Sequence, residues 1–169
     1  RQEASLHYEA SGIVLAVEPW NFPYSQVIRV LAPNYLLGNP VILKHAGQVA
    51  TCAQALDELA VEADLGTGAF KNLFLSYQQV DNLLADCRVS GLAVTGSSQV
   101  GKMLAGKAAA NLVKSSLELG GNDAFLVLAD ADVKKAAHEA VKARLRNSGQ
   151  VCTAPKRLIL AKEIATEFC

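Results

Sequence analysis

Short apolar runs rich in β-branched residues alternate with stretches of helical spacing almost to the end of the chain, and this alternation limits the fold most. GIVLAV at 12–17 reads as a buried strand, and a helix follows over 25–37, ended by Gly38 and Asn39. PVILK at 40–44 is the next strand, after which Val49, Cys52, Ala53, Leu56, Leu59 and Ala60 fall along one helical stripe. LGTGAF at 65–70 is a turn, NLFL at 72–75 a strand, and Val80, Leu83 and Leu84 mark a short helix. VSGLAVTG at 89–96 is a strand entering a glycine turn. Val100, Met103 and Leu104 open another helix, and LVKSSLEL at 112–119 closes the series. Strands separated by helices imply βαβ crossovers and a mainly parallel sheet, in which ligands sit beyond the carboxyl ends of the strands. The candidate functional residues follow those ends: Trp20 and Asn21, Lys44 and His45, Gly96 and Ser97, and Glu118.

After GGND at 120–123 the pattern restarts. AFLVL at 124–128 is a strand, Asp130 is expected to cap the next helix, and Val133, Ala136, Ala137, Ala140, Val141 and Leu145 form that helix's stripe. RLILA at 157–161 is one more strand, and the terminal ATEFC reads as helical. A domain boundary belongs near Gly120 and Gly121. The 169 residues suit one medium domain, or one domain plus part of another.

Apolar residues make up 51% of the chain and charged residues 19%, a balance that predicts apolar surface for a missing segment or a partner subunit to cover. With 16 basic and 16 acidic residues, no basic stripe argues for nucleic acid. No apolar run reaches membrane-spanning length, and none follows a basic start as a signal peptide would. Cys52, Cys87, Cys152 and Cys169 fit neither a zinc pattern nor a CxxC pair, so no metal site is expected. They read as reduced thiols of a cytoplasmic protein. The chain lacks an initiator Met and stops inside a helical pattern, so the expectation is an excerpt from a longer protein.

Several stretches carry candidate chemistry. The full G-x-G-x-x-G fingerprint is absent, but TGSSQVGK at 95–102 places a glycine turn between a strand and a helix. Its amides suit a pyrophosphate or simply an ordinary turn. Lys44 ends its strand where a ribose-facing residue belongs, with no acid close by; Lys44, with His45, could accept a 2′-phosphate or be merely solvated. In EPWNFPY at 18–24, two prolines bracket Trp20, Asn21 and Phe22, so the Asn21 amide is either a stiffly held oxyanion donor or part of a packed turn. Glu118, ending an apolar strand, is either desolvated as a general base or ion-paired. Cys152 follows a turn of Asn147, Gly149 and Gln150 that could expose its sulfur, and a thiol is strongly nucleophilic even when only a few per cent ionised. Cys52 reads as a core residue.

Together PWNFP, the lysine after VIL, TGS, LELGG and GQVCT resemble the aldehyde dehydrogenase superfamily in order and approximate spacing, across essentially the whole chain. VEPWNFPY, KHA, GGNDAF and NSGQVCTAPKR are most similar to its succinate-semialdehyde dehydrogenase branch. The resemblance implies an α/β fold: the Rossmann-like parallel sheet of that family over 1–120, with the start of the α/β catalytic domain over 121–169. It implies Cys152 as nucleophile, Glu118 as general base and Asn21 as oxyanion donor. It also implies a cofactor cleft lined by Trp20, Lys44, Gly47, Gly68, Gly96, Ser97, Val100, Leu119 and Gly120. Many NAD-preferring members carry a glutamate three residues after the lysine. Gly47 stands there in this chain, so NAD or NADP is implied, with NADP favoured.

The implied reaction is oxidation of a small aldehyde, succinate semialdehyde or a similar short one, through a cysteine thioester. The implied parent is a cytoplasmic homo-oligomer without nucleic-acid or membrane partners, and the 169-residue chain is expected to have little activity of its own. Three rival readings are a cysteine hydrolase pairing Cys152 with His138, a non-catalytic NAD(P)-binding module, and a CoA-acylating relative. The first is weakened because His138 lies towards the end of the preceding helix far from the thiol, and the last because it would not need Glu118 as a hydrolytic base.

Overall fold

The structure, a computed structural model, describes residues 4–169. It divides into two compact units, the first ending at Leu119 and the second covering Gly120–Cys169. In the first, the run after Gly12 forms β1 (Ile13–Glu18), whose last five residues are all buried. A strand buries consecutive residues only when both faces are covered. It is joined by β2 (Val41–His45), β3 (Phe70–Asn72), β4 (Val89–Gly96) and β5 (Lys114–Leu119) in one parallel sheet of order β3-β2-β1-β4-β5.

Helices α1 (Ser25–Leu36), α2 (Ala50–Glu62), α3 (Tyr77–Leu84) and α4 (Ser98–Ala110) cover the sheet on two sides. On one face Val14, Ala16, Leu43 and Phe70 meet Val27 and Leu31 of α1 and Leu56 of α2. On the other, Leu15, Val17, Leu92 and Val94 meet Val80 and Leu84 of α3 and Leu104 and Ala108 of α4. The chain runs outward from β1 to β3, then returns to β4 on the far side of β1. The order reverses between β1 and β4, and in such sheets the crevice beyond their carboxyl ends is the usual ligand site.

The third strand lies earlier than 72–75. Phe70 is buried and pairs with Val41, Asn72 pairs with Leu43, and Asp57 of α2 accepts the Asn72 amide at 2.7 Å while ion-pairing with Lys71. These contacts fix the register on Phe70, leaving Phe74 exposed just before the Ser76–Gln79 capping box that starts α3.

The second unit contains a parallel pair, β6 (Ala124–Val127) and β7 (Arg157–Leu160), with α5 (Val133–Leu145) and the short α6 (Ala165–Phe168). Asp132, not Asp130, caps α5: its side chain accepts the Lys135 amide at 3.0 Å, while Asp130 sits in the preceding turn, closed by the Ala131 amide on Leu128. The apolar stripe of α5 buries only Ala140, and Leu126, Val141, Leu145 and Leu158 are exposed.

Candidate active site

The loop between β1 and α1 carries Trp20 and Asn21, the first exposed and the second half-buried. It is held from β2. His45 pairs with Glu18 across the sheet, and its ring is buried. Nδ1 accepts the Ala46 amide at 2.9 Å, which leaves the ring proton on Nε2, 2.8 Å from the Pro23 carbonyl it donates to. The side chain therefore closes the loop and does not face a phosphate, as its neighbourhood with Lys44 had suggested. Period-two alternation is the reason: His45 shares the buried face of Val41 and Leu43, and Lys44 takes the other.

Lys44 is half-buried, with Nζ 5.1 Å from the centre of the Tyr77 ring and donating to the His45 carbonyl at 3.3 Å. Partial burial lowers its pKa from the ordinary lysine value. Beyond it, Gly47 and Gly96 face open space, with no atom within 4 Å of where a Cβ would stand. Ser97 caps α4, its hydroxyl accepting the Val100 amide at 3.3 Å and its carbonyl accepting that of Gly101 at 2.9 Å. The amides of Ser98 and Gln99 remain for an anion at this helix start.

One residue expected in the cleft lies elsewhere: Gly68 precedes β3, at the amino ends of the strands, because β3 runs parallel to β2. Val100 is half-buried in the first turn of α4, with its side chain packed partly against the core. Leu119, half-buried at the end of β5, does reach α4: a Cβ on Gly101 would stand 2.5 Å from Leu119 Cδ2. Gly120 is exposed with open space around it.

Glu118 takes neither course expected of it. It is exposed, and no ion pair among the described residues involves it, because β5 is an edge strand with no fully buried residue. The buried acid is Glu18, which the sequence reading passed over. It is only 3% exposed, and neither carboxylate oxygen has a hydrogen-bond partner. Burial raises its pKa to about 8, the nearby Thr95 hydroxyl and the Arg29 cation pull against this, and the charge of Glu118 adds to it. A carboxylate closing an apolar strand, two residues before Trp20, was the available signal.

In the second unit Cys152 is exposed in a turn, as expected of a reactive thiol. Before it, Asn147 (φ 48°), Ser148 (φ 57°) and Gly149 (φ 77°) are consecutive left-handed residues. The Gln150 amide closes this turn on the Asn147 carbonyl at 3.0 Å. The Cys152 carbonyl accepts Lys156 Nζ at 2.8 Å, and a Cβ on Gly121 would lie 3.0 Å from that oxygen. Gly121 thus permits a backbone approach that another residue would crowd. His138 is exposed on α5. All four cysteines are free, but Cys52 is half-buried beside Tyr24 and not in the core. Among the described residues no cluster of His, Cys, Asp and Glu could hold a metal, and no helix is long and apolar enough to cross a membrane.

A model of the aldehyde dehydrogenase family matches residues 1–169. A probable succinate-semialdehyde dehydrogenase [NADP(+)] of Synechocystis sp. is 43% identical over 166 residues, covering 98% of this chain and 37% of that protein. A succinate semialdehyde dehydrogenase [NAD(P)+] of Escherichia coli is 41% identical over 167 residues, covering 99% and 36%. Among solved structures, the succinic semialdehyde dehydrogenase of Streptococcus pyogenes in complex with NADP+ aligns with a TM-score of 0.91 at 48% identity, over 95% of this chain and 35% of that one. The chain thus spans little more than a third of the length of these relatives.

Proposed function

Because the chain belongs to the aldehyde dehydrogenase family, we propose that the whole protein oxidises a short aldehyde, succinate semialdehyde or a close analogue, to its acid with NADP or NAD. The observation that carries this reading is the exposed Cys152 shortly after a turn of three left-handed residues, in a chain whose sheet brings Asn21, Lys44, Ser97 and Glu118 to the carboxyl ends of its strands. The names of the relatives support the semialdehyde and the NADP preference.

The residues present fit a dinucleotide. The Ser98 and Gln99 amides suit a pyrophosphate, and the Lys44 ammonium beside the open space at Gly47 suits a ribose carrying a 2′-phosphate. When bound, the nicotinamide supplies the hydride acceptor. The Cys152 thiolate attacks the aldehyde carbon, and the resulting oxyanion is held by the Asn21 amide and the Cys152 backbone N–H. Loss of the hydride leaves a thioester on the sulfur. Glu118 then takes a proton from water, whose oxygen attacks the thioester carbon, releasing the acid and returning the thiolate.

The test is product analysis with the full-length protein over a panel of short aldehydes, with each cofactor, with and without CoA, beside Cys152→Ser. Free acid formed only with the thiol intact is the expected result. Acyl-CoA as the product, or full activity in Cys152→Ser, overturns the reading.

A further inference from the structure

Three polar side chains form a row across neighbouring strands at the carboxyl edge of the sheet. Glu18 ends β1, one residue past the Val17–Val94 pair, so it stands beside Thr95 of β4; Thr95 in turn pairs with Glu118 of β5. Register partners on a parallel sheet project from the same face, with strands about 4.8 Å apart. A hydroxyl therefore sits between two carboxyls. Glu18 is the buried member, with both oxygens unpartnered, and Glu118 the exposed one. An acid this deep, with only the Thr95 hydroxyl and the Arg29 cation to favour its charge, is expensive to ionise and needs an explanation.

We propose that Glu18, Thr95 and Glu118 form one coupled unit in which Glu18 is a positioning residue for the carboxylate of Glu118. This rests on the reading of Glu118 as the general base. With its proton on, Glu18 is a donor: its O–H is offered to the Thr95 oxygen, which frees the Thr95 O–H to donate to Glu118. With its proton off, Glu18 becomes the competing acceptor, Thr95 turns to it, and Glu118 loses a donor and gains a like charge. The other charged or titratable groups facing Glu18 are Arg29 from α1, which favours the ionised form, and His45 from β2, whose ring is already committed to backbone groups. Coupling of this kind is reciprocal: if the Glu118 charge opposes ionisation of Glu18, ionised Glu18 must be felt at Glu118.

The test reads this coupling without turnover. In the full chain with ¹³C-labelled glutamate side chains, the Glu118 carboxyl carbon should show, besides its own titration, a second inflection near pH 8 that coincides with the titration of Glu18. Glu18→Gln should abolish the second inflection, and Thr95→Val, which removes only the hydroxyl, should shrink it while Glu18 still titrates. If Glu18→Gln does not fold, Thr95→Val alone still decides. A Glu118 carbon that titrates in one step in the parent, or keeps its second inflection unchanged in Thr95→Val and Glu18→Gln, overturns the proposal. Failure to oxidise aldehydes would show separately, as an absent Cys152-dependent product, and would remove the reading of Glu118 as base without altering the titration.

Discussion

His45 Nε2 lies 2.8 Å from the carbonyl oxygen of Pro23, so a buried ring at the end of β2 closes the loop that carries Asn21. His45→Ala strands the Pro23 carbonyl, while the Ala46 amide keeps its bond to the Glu18 carbonyl at 3.0 Å. Losing such a partner costs about 1–3 kcal/mol, so denaturant unfolding should show a clear loss of stability. It should also slow aldehyde oxidation by the full-length protein, because the Asn21 amide loses its fixed aim. Unchanged stability would mean that the loop holds itself.

Asn21→Ala separates aim from fold. Removing one oxyanion donor costs about 10²–10³ in turnover. The expected result is a fall of that size in kcat of the full-length protein, with alkylation of Cys152 by a small electrophile at its ordinary rate. A kcat within a few-fold of the parent would remove Asn21 from the oxyanion site.

The alternation of apolar runs and helical stripes was enough to read the parallel sheet, because both periods are set by which side chains must be buried. The exposed turn at Cys152 and the places of Asn21 after β1 and of Glu118 in β5 were legible from the glycines and apolar runs beside them. Other features depend on register, which a single strand does not carry. Alternation turns His45 inward and Lys44 outward, and pairing with β2 moves the third strand onto Phe70 and leaves Gly68 at the wrong edge. Glu18 was missed for the same reason: its side chain sits in a row that exists only once β1, β4 and β5 are assembled.

Lys44 and Gly47 make cofactor preference testable. The lysine is the cation beside the open position, and nothing within 4 Å would obstruct a side chain at 47. Gly47→Glu places a carboxylate that repels a 2′-phosphate and accepts ribose hydroxyls. The ratio of Kd values for NADP and NAD in the full-length protein should shift towards NAD by about tenfold, equivalent to roughly 1.4 kcal/mol. Lys44→Ala should weaken NADP more than NAD. Equal weakening of both cofactors would place the lysine on a part they share.

Burial of Glu18 also makes a prediction for stability against pH. Its pKa is raised from an ordinary 4.5 to about 8 in the folded chain, so the native state keeps a proton that the unfolded state has already released. Stability from this group is complete below about pH 4.5 and drains away as pH rises towards 8, at roughly 1 kcal/mol per pH unit. Glu18→Gln has no proton to lose and should escape that slope. Urea unfolding of both chains at intervals from pH 5 to pH 8.5 should therefore show the parent losing stability relative to Glu18→Gln, by an amount on the order of a few kcal/mol. Two parallel stability curves would mean that water or a rearranged Arg29 neutralises the carboxylate, and that the acid at the end of β1 is ionised at neutral pH after all.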